Sequence, residues 1–313
     1  MIRAILTAPQ EDAFRERCGV TGAIETHFEG WSKRVILASD RVFLFPRDHT
    51  RVAGLDREAM VLQVLSGWKY APQLIGYHTD TTISPYPFLE LARVTGAPFY
   101  GQTYEAAADL NIVLDLMSQV GSAIAALHDR STEGLAPDLS QVFPRPGELL
   151  QRVLVSDPAR LIEEATTAIG VPAADGWSEA LAAVQAITPV LTHGDVHGEQ
   201  LMTDDSNRLT GIIDWETASV DNPVRDFNFN EWGRGWYRAH EHEFALLRET
   251  LWTAYADGRT SVSLPRWQAI DVFYCLLEAW QCAMSTHTFD VERRPLALTN
   301  LQAATRAFES TGV

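Results

Sequence analysis

Short apolar runs with two-residue alternation dominate the first ninety residues, and longer runs with a helical repeat dominate the rest. From Ala23 to Phe28, the residues Ala23, Glu25 and His27 alternate with Ile24, Thr26 and Phe28, a half-buried strand pattern that stops at Glu29 and Gly30. Residues 33–38 and 41–45 are apolar runs around Ser39-Asp40 and predict a hairpin. A helix is predicted over 55–65, where Leu55, Ala59, Leu62 and Leu65 form an apolar stripe that also carries Glu58. A carboxylate on a buried stripe needs a partner, whereas on an exposed one it needs none, and the pattern alone allows both.

Residues 85–91 read as one more strand, leading into a connection rich in Gly, Pro and Thr over 94–103. This shift places a domain boundary after residue 92, giving domains 1–92 and 93–313. Val113, Met117, Val120, Ile124 and Leu127 step by helical spacings and predict an amphipathic helix ending near His128. Residues 130–188 mix Pro-containing loops with helical pattern, and residues 189–192 read as the entry to a loop. Beyond Pro223 the chain is helical again and rich in tryptophan; Trp232 and Trp236, at i and i+4, are either a core pair or a pocket wall.

The 313 residues are 46% hydrophobic and 21% charged, which excludes disordered and collagen-like classes. Twenty-five Lys and Arg against 41 Asp and Glu give a net charge of -16, which argues against nucleic acid or an anionic membrane as partner. Lys33 and Lys69 are the only lysines, so chemistry that requires one has two candidates. Cys18, Cys275 and Cys282 lack CxxC spacing, which argues against a disulfide framework or a thiolate zinc site and for a reducing compartment. With no signal-like N-terminus and no long uninterrupted apolar run, the expected location is cytoplasmic.

One stretch carries most of the chemistry. It runs His193-Gly194-Asp195-Val196-His197-Gly198-Glu199-Gln200 and, past a polar turn over 204–207, ends Ile212-Ile213-Asp214-Trp215. Residues 200–203 and 209–213 predict a hairpin that brings Asp195, Gln200 and Asp214 toward one end. Two carboxylates and an amide oxygen are the minimal kit for holding Mg²⁺ and aligning an alcohol on a γ-phosphate. His193 and His197 have the i, i+4 spacing of zinc ligands, but the residues between them and the loop context favour a histidine that braces the loop.

This stretch, with Asp221-Asn222-Pro223-Val224-Arg225-Asp226 after it, resembles the aminoglycoside phosphotransferase family of small-molecule kinases. Upstream, Gly30-Trp31-Ser32, Phe45-Pro46-Arg47 and Leu55-x-x-Glu58 are similar to the family's nucleotide-loop, third-strand and ion-pair-helix segments. The resemblance implies a two-lobed, protein-kinase-like α+β fold, with a small antiparallel-sheet N-lobe and a mainly helical C-lobe. It implies ATP or GTP as phosphate donor, Mg²⁺ as cofactor and a hydroxylated small molecule as acceptor. Asp195 would be the catalytic base, and Asp214 and Gln200 the metal ligands. Gly30, Ser32, Lys33, Arg47 and Glu58 would serve the nucleotide's phosphates, and backbone groups near Glu90, in the segment 89–92, its base. Asp226 would either fix the catalytic loop by accepting hydrogen bonds or cap the following helix.

Two positions depart from the family pattern. Gln200 stands where the family has asparagine, and Leu44 stands where the third strand should supply the cation for Glu58. Lys33 and Arg47 are the nearest replacements. The departures open a second reading, a non-catalytic nucleotide or ligand binder on the same scaffold; within the enzyme class, a choline-, homoserine- or fructosamine-type metabolite kinase is the alternative.

Overall fold

The computed structural model describes residues 5–27, 32–99, 109–132, 135, 152–154, 156–227, 243–257, 264–286 and 288–310. In chain order the elements begin with α1 (Ala8–Arg17), β1 (Glu25–His27), β2 (Lys33–Ala38), β3 (Arg41–Pro46), α2 (Val52–Val64), β4 (Leu74–His78), β5 (Phe88–Ala92) and β6 (Ala97–Pro98). They continue with α3 (Leu110–His128), α4 (Pro158–Ile169), α5 (Gly176–Gln185), β7 (Val190–Thr192), β8 (Leu201–Thr203), β9 (Leu209–Ile212) and β10 (Ser219–Asp221). Three helices close the chain: α6 (Phe244–Ala256), α7 (Leu264–Met284) and α8 (Thr288–Glu309). Trp232 and Trp236 lie outside the described residues.

The chain divides into two compact units, one made of Met1–Gln102 with Gly198–Ala218 and the other of Thr103–His197 with Ser219–Val313. The first unit is built on a five-stranded antiparallel sheet of order β1-β2-β3-β5-β4. Ile36, Phe43 and Phe45 alternate with Val35, Leu37 and Leu44, so the sheet has two apolar faces. On one face Phe14 of α1 packs edge-on against Phe43, with ring centroids 4.7 Å apart, and Leu6, Cys18, Ile36 and Phe88 are among the residues that share that core. On the other lies α2, where the Tyr77 hydroxyl donates to Asp56 at 2.6 Å.

The β8–β9 hairpin belongs to this first unit, whereas the sequence boundary at 92/93 assigns it to the C-terminal domain. Backbone hydrogen bonds explain its placement: β6 pairs with β8, and Ile212 N–H donates to the Tyr70 carbonyl at 2.7 Å. Gly96 (φ 96°) allows the close approach, because a Cβ there would stand 2.1 Å from the Thr203 carbonyl oxygen.

The second unit is mainly helical. α3 packs along α6, and α7 packs against α4, α5 and α8. α3 is the one helix among the described residues long and apolar enough to cross a membrane, and its apolar face, from Val113 to Leu127, is buried. Residues 190–192, expected to open a loop, form β7, which pairs antiparallel with β10. That short pairing takes up backbone groups at buried Leu191 and Thr192.

Candidate active site

In the first unit the site begins with an ion pair. Glu58 lies on the inward stripe of α2, is 1% exposed, and places Oε2 2.5 Å from the Lys33 ammonium. Its other oxygen, Oε1, accepts from the Trp215 backbone N–H at 3.3 Å. Lys33 therefore occupies the role expected at Leu44, and strand register shows how. Lys33 pairs with Pro46 and Val35 with Leu44, so Lys33 projects from the same face of the sheet as Leu44, one strand over and two residues along.

Lys33 also donates to Asp214 Oδ1 at 2.6 Å and stands 3.5 Å from Glu216 Oε2. Three carboxylates thus surround one ammonium. Burial works against the ammonium, but Asp214, Glu58 and Glu216 outweigh it and hold Lys33 well above the ordinary lysine range. Burial pushes the Glu58 carboxyl up; Lys33 draws it back, and Asp214 and Glu216 push it further up.

Asp214 follows β9 in a left-handed conformation, φ 68° and ψ 64°, which a non-glycine residue adopts at a cost of about 1–3 kcal/mol. It is held there because fully buried Trp215 anchors the next position, its indole N–H donating to the Ile212 carbonyl at 2.8 Å. Gln200 stands beside it at the same end of the hairpin, its carbonyl accepting from Ile213 N–H at 2.9 Å. The Gln200 side chain is buried, and its Oε1 has no hydrogen-bond partner among the described residues. A buried acceptor with no partner among the described residues, beside the Asp214 carboxylate, is a donor set of hard oxygens, so Asp214 and Gln200 fit Mg²⁺.

In the second unit the loop after β7 carries Asp195. Fully buried Asp226 accepts from the backbone N–H groups of His193 (3.0 Å) and Gly194 (2.7 Å), and Gly194 takes φ 83° to present its own. Asp226 thus accepts the hydrogen bonds that fix the loop, and the stretch after Phe227, where the helix it was to cap would start, lies outside the described residues. His128, at the end of α3, brings Nε2 within 2.9 Å of Asp226 Oδ2, and its Nδ1 lies 2.8 Å from the Tyr255 hydroxyl. Burial would raise the Asp226 carboxyl, but its hydrogen bond with and electrostatic attraction to His128, with His193 and the Gly194 N–H adding to them, hold it below the usual carboxylate range. His193 is fully buried, and its Nδ1 accepts from Asp195 N–H at 3.3 Å, so it braces the loop. Asp195 keeps a partly exposed side chain, with Oδ2 3.8 Å from His197 Nε2.

The remaining expected residues fall as follows. Ser32 is buried, and its carbonyl accepts from Arg47 N–H at 3.0 Å, extending the β2–β3 ladder. Gly30 lies outside the described residues. Glu90 is placed differently from the expectation. Its strand is bonded on both sides, to β3 and β4, so the backbone of 89–92 is committed to the sheet, and its side chain faces away from α2 toward Arg41 and His78. Sequence reasoning missed Glu216 and His128. Glu216 sits two residues beyond Asp214, and His128 was visible only as the last residue of a predicted helix.

A sheet-based unit holding a lysine–glutamate pair, together with a helical unit holding an aspartate on a braced loop, defines a kinase-like phosphotransferase. Solved structures share this fold over nearly their whole length. Wild-type aminoglycoside 2'-phosphotransferase-IIIa in its GDP complex aligns with TM-score 0.57 at 18% identity, covering 96% of this chain and 99% of that one. ADP-bound aminoglycoside phosphotransferase APH(2'')-Ib aligns with TM-score 0.53 at 14% identity, covering 97% and 99%. Viomycin phosphotransferase of Streptomyces vinaceus is 25% identical over 227 residues, 66% of this chain and 71% of that protein. The APH family, described as the phosphotransferase enzyme family, matches residues 24–265, and the chain belongs to it. It is accordingly an enzyme, a phosphotransferase with an alcohol group as acceptor.

Proposed function

We propose that this enzyme moves the γ-phosphate of ATP or GTP to a hydroxyl of a cationic small molecule, with Asp195 as the base. The observation that carries the reading is the ammonium of Lys33 held by Glu58 and Asp214. It supplies the cation that Leu44 cannot, which answers one of the two departures behind the non-catalytic reading; Gln200 is the other. In the proposed step the acceptor oxygen attacks the γ-phosphorus, its proton passes to the Asp195 carboxylate, and the bond from the γ-phosphorus to the β-phosphate oxygen breaks to release the nucleoside diphosphate. Lys33 neutralises phosphate charge, and Glu58 orients the ammonium. Asp214 and Gln200 would hold Mg²⁺, which when bound neutralises phosphate oxygens.

The acceptor class rests on charge and kinship. A chain of net charge -16 attracts polycations, and the relatives' names are those of viomycin and aminoglycoside phosphotransferases. The test is a nucleotide-consumption screen of the purified enzyme with ATP and GTP against viomycin, aminoglycosides, macrolides and neutral hydroxylated metabolites. A cationic acceptor should be phosphorylated by wild type and not by Asp195→Ala. Turnover that survives Asp195→Ala overturns the base assignment, and turnover confined to neutral metabolites overturns the acceptor class.

A further inference from the structure

The face of the sheet opposite Glu58 carries a second convergence of donor groups. Cys18 at the end of α1, His78 at the end of β4 and Glu90 within β5 bring Sγ, an imidazole nitrogen and a carboxylate oxygen within 4.8 Å of one another. Strand register accounts for this. Gly76 stands opposite Glu90 and His78 opposite Phe88, so the imidazole has to lie back over position 76 to reach the carboxylate. A Cβ on residue 76 would come 2.7 Å from His78 Nε2, so glycine leaves the ring its place. Stacking on Phe88, with centroids 4.7 Å apart and planes 15° from parallel, holds the ring with Nε2 2.8 Å from Glu90 Oε2.

We propose that Cys18 Sγ, His78 Nε2 and Glu90 Oε2 bind a zinc ion, with water as the fourth ligand. A thiolate, an imidazole and a carboxylate from three elements form a mixed soft and hard set that suits zinc and that Mg²⁺ or Ca²⁺ would not select. Zinc bonds of about 2.0–2.3 Å set tetrahedral neighbours roughly 3.5 Å apart, between the hydrogen-bonded 2.8 Å and the 4.8 Å limit seen here. The carboxylate is already oriented, because Glu90 Oε1 accepts from Arg41 at 2.6 Å, and the same guanidinium donates to the Cys18 and Gly19 carbonyls. Cys18 and Glu90 are buried, whereas the His78 side chain is 30% exposed and gives the ion its entry and the water its place. Binding displaces the thiol proton to solvent and replaces the His78–Glu90 hydrogen bond, clipping α1 to β4 and β5. The donors stand at positions 18, 78 and 90, so no local spacing reveals them.

The test titrates the full-length, chelator-stripped protein with Co²⁺, followed by Zn²⁺. One equivalent of Co²⁺ should produce a thiolate-to-cobalt charge-transfer band, which Zn²⁺ erases. The band should be absent in Cys18→Ser and retained in Cys275→Ser and Cys282→Ser. Zn²⁺ should raise the thermal midpoint of wild type but not of Glu90→Gln, which keeps an acceptor for Arg41 and serves if Cys18→Ser does not fold. No band in wild type, a band that persists in Cys18→Ser, or an equal zinc shift in Glu90→Gln overturns the proposal.

Discussion

The Lys33 ammonium and the Glu58 carboxylate meet at 2.5 Å although the strand position that faces this helix carries Leu44. Both residues of the pair are buried, so removing one strands the other. Lys33→Met should lower kcat by about 10²- to 10³-fold, as expected for loss of a charge-stabilising donor. It should also cost about 3–5 kcal/mol of stability at neutral pH. Glu58 is already pushed up by burial and would rise further without Lys33. A carboxyl raised in the folded state contributes stability that is present below its unfolded value and lost as pH rises through the folded one. Urea unfolding of Lys33→Met should therefore show stability falling from pH 4 toward neutrality. Adding Leu44→Lys to that variant should recover part of both losses, because residue 44 looks onto the same face.

What the sequence made legible was contiguous. The β2–β3 hairpin followed from two apolar runs around Ser39-Asp40, α3 from its repeat, and the loop from His193 to Asp195 from a motif in one stretch. The position of the cation was not legible, because it depends on which face of the sheet a residue on a neighbouring strand shares. α1 escaped because only Phe14 of its ten residues is buried, and its signals are the Thr7–Gln10 capping box and Pro9. β4 escaped because Gly76 and the exposed Ile75 and Tyr77 blur its alternation. β7 and β10 are three-residue strands whose pairing spans 27 positions, from Thr192 to Ser219, and nothing local announces it.

Gln200 presents a buried oxygen without a partner among the described residues, and an orphan of this kind costs about 1–3 kcal/mol unless a ligand completes it. Gln200→Leu should separate stability from activity. Without Mg²⁺ its thermal midpoint should equal or exceed that of wild type. In turnover assays its Mg²⁺ requirement should rise by about 10- to 100-fold, and Gln200→Asn should stay nearer to wild type. A fall in midpoint with an unchanged Mg²⁺ requirement would remove the amide from the metal site.

Asp226 is held below the usual carboxylate range, against the pull of burial, by His128, His193 and Gly194. A carboxyl depressed in the folded state adds stability that is present above its unfolded value, about 3.9, and lost as pH falls through the folded one. Wild type should therefore lose stability on acidification below about pH 4. Asp226→Asn should cost about 1–3 kcal/mol near neutrality, because the amide keeps only one of the two acceptor oxygens that serve His128, His193 and Gly194, and should flatten the acid limb. Chemical denaturation at a series of pH values reads both effects. A steady-state assay should show kcat falling more than the nucleotide KM, since the loop that Asp226 fixes carries Asp195.

Two helical glycines should respond with opposite sign to the same substitution, and the difference lies in what a new methyl meets. Glycine within a helix costs about 1 kcal/mol relative to alanine, so Gly→Ala gains that amount where there is room. At Gly54 in α2 the nearest atoms to a new Cβ are in the Glu216 side chain at 3.6 Å, an ordinary contact. Gly54→Ala should therefore raise stability by about 0.4–1 kcal/mol. At Gly121 in α3 the Cβ would stand 2.2 Å from the Leu251 carbonyl oxygen of α6, which is backbone and cannot rotate aside. Separating the two helices forfeits packing along a buried face, at about 1–3 kcal/mol or more, and outweighs the gain in propensity. Gly121→Ala should lower the thermal midpoint where Gly54→Ala raises it; a rise in both would mean that α3 and α6 are not packed this closely.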